Sequence, residues 1–327
     1  MYDERNLQAL ADWICQKDGF TLVAHISPDG DTLGSNLALC CALQAMGKQA
    51  QVVCDQPVPY IYAFLPGAKS IALTQQARQD YHHIIAVDCA DQQRMGEAQA
   101  LIKVAGDTAN IDHHGTNIGY AAYNLVDPQA AATSELIFAL CNALQVPLDE
   151  KIATCLYTAL VTDTGNFAYS STTARTLRVA AALLETGIDI ADINRRIFRT
   201  VPLSKTRLLG RALCTMELYA QGALGISCVS RQDMQDCGAT SEDVEGIIDN
   251  IRDVEGVEIA MLLRESSMGN SIKISLRSKE YADVSQIACR FGGGGHIHAA
   301  GCTLEGNTLK QAKSLLLEAS QAALRGE

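Results

Sequence analysis

Four short runs rich in β-branched and apolar residues, at 21–24, 51–54, 84–87 and 109–111, punctuate the first third of the chain between stretches with helical spacing. That alternation predicts a parallel sheet covered by helices on both faces. From about residue 133 to 198 the pattern turns mainly helical, most clearly at 174–184, where Ala and Leu dominate. Further on, residues 224–230, 258–264 and 271–277 alternate like strands, and helices are predicted at 241–251 and 283–291. The fold class is therefore α/β twice over, a larger parallel-sheet domain at 1–188 and a smaller α/β domain at 215–327. The charged stretch between them, 189–214, contains Val201-Pro202 and reads as a linker helix or hinge. No internal repeat or low-complexity tract interrupts this plan.

Composition narrows the classes. A chain of 327 residues that is 48% hydrophobic can bury a large core. No run approaches the length of a membrane span, and the first residues are acidic where a secretory leader needs basic ones, so a cytoplasmic protein without membrane attachment is expected. The 12 cysteines are scattered through apolar segments and never form a CxxC pair, which favours buried thiols over disulfides or structural zinc. The formal net charge of −11 argues against a broad grip on long duplex nucleic acid. A small anionic substrate is still compatible, because metal ions held by clustered acids reverse the local sign.

Polar residues collect where the predicted strands end. His25, Asp88 and Asp112 directly follow or close three of them, the position at which open α/β sheets build their sites. The segment from His25 through Asp29 and Asp31 offers an imidazole and two carboxylates within seven residues. Asp112-His113-His114-Gly115 adds two adjacent histidines, and Asp163 closes a helical stretch. Any one of these fits an Asx turn, a helix cap or a satisfied core histidine. Five of the seven histidines nevertheless fall in these clusters or in the glycine-rich turn Gly292 to Gly301, and that convergence points to metal-dependent chemistry. His82 and His83 begin a strand outside every cluster and read as structural, and Trp13 is too isolated to stack bases.

HISPDGDTLGS, VDCAD, IDHHG and VTDTGNF resemble, in order, the four motifs of the DHH phosphoesterase family, and GGGGHIHAAG resembles the GGGH signature of its associated DHHA1 domain. The resemblance covers nearly the whole chain, and the run 110–135 is most similar to the branch that cleaves short oligoribonucleotides and 3′,5′-bisphosphate nucleotides. It implies two Mn²⁺ ions, one held by His25, Asp29 and Asp88 and the other by Asp31, Asp88, His113 and Asp163, with Asp88 shared. His114 would then contact the scissile phosphate and Asp112 would orient a neighbouring histidine. Arg277, Ser278, Gly293, Gly294, Gly295 and His296 would clamp the substrate from the second domain, so cleavage would need both domains.

The expected substrates are short RNA, cut to mononucleotides, and adenosine 3′,5′-bisphosphate; a homodimer is left open. The same motifs would serve a cyclic-di-AMP or linear dinucleotide (pApA) phosphodiesterase. A RecJ-like exonuclease needs a longer basic track than this chain has, and a family II pyrophosphatase would lack residues 292–296. A non-catalytic nucleotide sensor would show gaps among the candidate ligands, and here every expected position is filled.

Overall fold

The computed structural model describes residues 3–78, 80–102, 105–266 and 269–324. The chain forms two compact units, Met1–Thr200 and Val201–Glu327. In the first, β1 (Phe20–Val23), β2 (Ala50–Cys54), β3 (Ala72–Leu73), β4 (His83–Val87), β5 (Asp107–Asp112) and β6 (Tyr123–Val126) make one sheet. Its order is β3-β2-β1-β4-β5-β6, and every pair is parallel. Helices α1 (Glu4–Gln16), α2 (Gly30–Ala45), α3 (Gln99–Ile102), α4 (Thr133–Ala143), α5 (Glu150–Asp163), α6 (Ala174–Leu184) and α7 (Ile190–Phe198) accompany it. The strand order reverses between β1 and β4, which opens a crevice at their carboxyl ends.

Helix α2 is buried along almost its whole length, and its glycines explain how. A Cβ on Gly34 would stand 2.4 Å from the Cys155 carbonyl oxygen, and one on Gly30 would stand 2.4 Å from the Thr162 hydroxyl. Glycines four apart share one helix face, so α2 and α5 approach more closely than side chains would allow. Trp13 is buried too, stacked on Tyr123 with centroids 5.1 Å apart and edge-on to Phe20 and His83. Trp13 therefore serves the core, with His83 packed at its edge.

The second unit begins with α8 (Leu203–Cys214). It continues through β7 (Glu217–Tyr219), β8 (Leu224–Val229), α9 (Arg231–Cys237), α10 (Ile247–Arg252), β9 (Ile259–Glu265) and β10 (Ser271–Ser278). It closes with α11 (Val284–Arg290), β11 (Gly294–His296), β12 (Ala299–Glu305) and α12 (Leu309–Leu324). Its sheet runs β11-β12-β10-β9-β8-β7, with only β8 and β9 parallel.

Three expectations change in detail. The stretch 189–214 is two helices, α7 and α8, parted at Val201-Pro202, because proline disfavours helical backbone in the residue before it. The helix predicted at 241–251 breaks into a 3₁₀ turn at Glu242–Val244 and α10, with Gly246 at φ 79° between them. The glycine-rich turn is a β-hairpin, β11 and β12, on one edge of the second sheet.

Candidate active site

At the crevice of the first unit, each polar side chain is held by its own element. His25 follows β1 and is buried; its Nδ1 donates to the Ile26 carbonyl oxygen at 2.7 Å. Its Nε2 therefore turns to Asp88 at 3.5 Å and Asp29 at 3.8 Å. Asp29 is the N-cap of α2, accepting from the Thr32 amide at 3.0 Å, and stays exposed. Asp31, in the first turn of α2 and fully buried, accepts from the Thr133 and Ser134 amides at 2.7 and 3.2 Å. The N-cap position of α4 is Ala132, which has no side chain to cap with, so Asp31 supplies the carboxylate that helix start needs.

Asp88 closes β4 with φ 62°, in the left-handed region that a non-glycine side chain enters only at a cost of about 1 kcal/mol or more. Hydrogen bonds hold it there. Its amide donates to the Ile111 carbonyl, and its carboxylate accepts from Thr32 Oγ1 at 2.5 Å and Thr133 Oγ1 at 2.9 Å. Ser27, Asn166 and Phe167 also have positive φ, so the left-handed backbone gathers around these motifs.

His113 and His114 follow β5 and divide their tasks. His113 Nδ1 donates to the Ala130 carbonyl at 3.2 Å, leaving Nε2 facing Asp163 at 3.4 Å, Asp88 at 3.7 Å and Asp31 at 3.9 Å. In a neutral ring that nitrogen is a lone pair pointed at three carboxylates. His114 Nδ1 instead donates to Asp112 Oδ1 at 2.7 Å, and Asp112 is completely buried. The other Asp112 oxygen accepts from Asn117 Nδ2 at 2.6 Å. Asn117 also donates to Asn110, which bonds in turn to the Ala86 and Cys89 carbonyls and the Tyr120 hydroxyl.

Charge is concentrated accordingly. Burial, followed by the charges of Asp88, Asp163 and Asp29, raises the Asp31 carboxyl well above the usual carboxylate range. Burial also raises Asp163; the charge on His113 pulls it back, Asp88 and Asp29 push it up again, and it settles at about 6. For Asp88 burial acts upward, but His25, Thr32 and the charge on His113 outweigh it and hold the carboxyl low. Burial pulls the His25 imidazole down, yet Asp29 and Asp88 push it up to about 10. Asp112 raises His114 above the ordinary histidine value, which favours an imidazolium whose side chain is 40% exposed.

These donors suit divalent cations. Three overlapping groups, His25-Asp29-Asp88, Asp31-His113-Asp163 and Asp88-His113-His114, each hold their ligand atoms within 4.8 Å of one another. Carboxylate oxygens and imidazole nitrogens converge at 3.4–3.9 Å, a cluster of hard and borderline donors around common points that a divalent cation could occupy.

Among the residues of the second unit expected to clamp substrate, Arg277 and Ser278 point to opposite faces of β10. Ser278 is buried, and its hydroxyl pairs with His298 Nδ1 at 2.9 Å, which ties the hairpin to β10. Arg277 stays half-buried and donates to the Leu276 carbonyl, and His296 is exposed on β11. A Cβ on Gly293 would lie 2.2 Å from the Gly301 carbonyl oxygen, and one on Gly295 would lie 2.4 Å from that of Ala299, so both glycines are demanded by the hairpin itself. Gly294 faces open space. Because β11 is an edge strand, its outward amides have no strand partner among the described residues.

Asn110, Asn117, Tyr120, Thr32 and Thr133 were not legible as site residues from the sequence. The signal that existed was Asn110 in the middle of a buried strand, where an amide must find partners.

A parallel-sheet unit with imidazoles and carboxylates at its switch point, followed by a mixed-sheet unit with a glycine-rich hairpin, is the architecture of one class of phosphoester hydrolases. Residues 20–160 match the DHH family, N-terminal domain, and residues 226–325 match the DHHA1 domain; the chain belongs to this family. It is similar to the bifunctional oligoribonuclease and PAP phosphatase NrnA of Thermus thermophilus, with 38% identity over 304 residues that cover 93% of this chain and 89% of that one. An exopolyphosphatase-related protein from Bacteroides fragilis superposes with a TM-score of 0.91 at 27% identity, covering 99% and 98% of the two chains. The exonuclease RecJ bound to manganese shares the fold, with a TM-score of 0.60 at 13% identity over 97% and 94%. No helix among the described residues is long and apolar enough to cross a membrane.

Proposed function

We propose that this chain hydrolyses short oligoribonucleotides to mononucleotides and dephosphorylates adenosine 3′,5′-bisphosphate, using two divalent cations, Mn²⁺ foremost, held in the first unit. The observation that carries the reading is the convergence of the His25 and His113 Nε2 atoms on the shared carboxylate of Asp88, with Asp31 and Asp163 completing the ring. Similarity along the chain to a protein named for both activities supports the choice of substrates.

His25, Asp29 and Asp88 would hold one cation and Asp31, Asp88, His113 and Asp163 the other. When bound, such a pair supplies Lewis acidity that activates water and offsets charge on the scissile phosphate. The residues around it have separable tasks. The Ile26 and Ala130 carbonyls fix which nitrogen each histidine presents, and Thr32 and Thr133 fix the rotation of Asp88. His114, whose imidazolium form Asp112 favours, would donate a hydrogen bond to a phosphoryl oxygen, and Asn117 keeps Asp112 turned to it. In the second unit, Arg277, His296 and the outward amides of β11 would bind a substrate phosphate, while Ser278, Gly293 and Gly295 shape the hairpin that presents them.

The test is hydrolysis of an RNA dinucleotide, a long RNA, adenosine 3′,5′-bisphosphate and cyclic di-AMP, each with Mn²⁺, Mg²⁺ or EDTA. Mn²⁺-dependent turnover of the dinucleotide and the bisphosphate, with the long RNA spared, is expected. Preference for cyclic di-AMP would overturn the substrate assignment, and full activity in EDTA would overturn the metal.

A further inference from the structure

In the second unit, β9 and β10 turn one face to the core shared with α11 and α12. On the opposite face, α10 packs over Ala260 and Leu262. Beyond that cover, a cavity of about 480 Å³ opens on the same face, lined among others by Arg264, Lys273, Ser275, Thr303 and the signature glycines 292 and 293. Two cationic residues line it. Lys273 on β10 lies directly opposite Arg264 on β9 in the strand register, with Thr303 on its other side.

Like charges directly opposite on paired strands destabilise a sheet unless something neutralises them. Arg264 is half-buried, its guanidinium is pulled down by burial alone, and no carboxylate among the described residues pairs with it. Lys273 is exposed and has no ion pair among the described residues either. In a chain with 37 acids and 26 Lys and Arg, two unpaired cations facing each other beside the signature glycines are arranged for an anion from outside.

We propose that Arg264 and Lys273 form a second phosphate subsite, which takes the backbone of an RNA strand beyond the phosphate held by Arg277 and His296. This rests on the short-RNA reading above and deepens it. Lys273, Ser275 and Arg277 alternate along one face of β10, so the two cationic positions lie about 13 Å apart at roughly 3.3 Å per residue. One diester cannot span that distance, whereas a strand of a few nucleotides can. The pair therefore sets which short lengths the protein prefers, and Ser275 between the two positions offers a hydroxyl to the strand that joins them.

The experiment compares wild type with Arg264→Gln, Lys273→Gln and the double variant, full-length and with Mn²⁺, on an RNA dinucleotide and a tetranucleotide. The double variant should raise KM for the tetranucleotide roughly tenfold, as expected for lost charged hydrogen bonds, and leave the dinucleotide within about twofold. The salt dependence of tetranucleotide binding should flatten by about 0.7 in log–log slope for each lost cation. Equal effects on both substrates, or none on either, would overturn the subsite. Thermal melting checks each fold, and Lys273→Gln, at an exposed position, decides the matter should Arg264→Gln unfold. If wild type cleaves neither RNA, the functional reading fails. Binding of fluorescein-labelled tetranucleotide in EDTA then tests the subsite alone: weakening in the double variant supports it, and unchanged binding refutes it.

Discussion

Replacing Asp163 by Asn should make the protein more stable in EDTA while removing its response to metal. Asp163 accepts no hydrogen bond among the described residues, and its carboxyl sits at about 6 because it is buried beside Asp88 and Asp29. Holding it ionised, away from its ordinary value of 3.8, costs roughly 3 kcal/mol at about 1.36 kcal/mol per pH unit. Water reaching a side chain that is 32% exposed reduces this to about 1 kcal/mol. Asparagine keeps the shape and removes the charge, so at pH 8 in EDTA the melting temperature should rise by about 2–4 °C for a unit of this size. The sign follows from the raised carboxyl: the cost is present in full above pH 6, shrinks as pH falls, and is gone below 3.8, so at pH 5 the gain should be visibly smaller. With Mn²⁺ at 100 times its Kd, wild type should gain about 2.7 kcal/mol and the variant much less. The assay is thermal melting at both pH values, with and without metal. A lower melting temperature for Asp163→Asn at pH 8 in EDTA would refute the reasoning, as would an undiminished response to Mn²⁺.

Asp88→Asn, at the carboxylate both proposed cation groups share, should reduce kcat/KM on an RNA dinucleotide by well over the ~100-fold that losing a ligand's orienting partner costs. A loss below tenfold would rule out a shared ligand. Asn117→Ala removes the donor that steadies Asp112, so kcat should fall about 10- to 100-fold with KM unchanged, and Asn117→Asp should not rescue it because it offers a second carboxylate in place of an N–H. Gly34→Ala should cost about 1–3 kcal/mol by urea unfolding, because its Cβ meets the Cys155 carbonyl oxygen, and should weaken Mn²⁺ binding by shifting α5 and Asp163. Gly294→Ala should leave melting unchanged and raise KM, whereas Gly293→Ala should lower the melting temperature, since only the latter collides with backbone.

Much of this site was readable before the fold was known, for a physical reason. A strand buried on both faces must be apolar, so a His or Asp at its end stands out as chemistry placed at the mouth of the sheet. That logic found His25, Asp88, Asp112 and the residues near them. It did not find β3 or β6, which are short and only partly buried. It took Gly292 to Gly301 for a turn because glycine hides strand periodicity, although Gly293 and Gly295 are required by backbone approach within the hairpin. Ser278 looked like a companion of Arg277 because they are neighbours in sequence, yet adjacent residues on a strand face apart. Asn117 and Thr133 carry no local signal, since an amide in a loop or a hydroxyl at a helix start is ordinary until its partner's position is known.

The spread of the candidate ligands along the chain has a further consequence, for folding. They begin at His25 and are complete only at Asp163, brought together by parallel strands whose every pairing needs a crossover. A chain still being synthesised can present the first imidazole and carboxylates, but not the ring, until α5 has emerged and seated its glycine-lined contact with α2. Divalent cation should therefore act late, slowing unfolding of the finished unit and leaving the rate of its assembly almost unchanged.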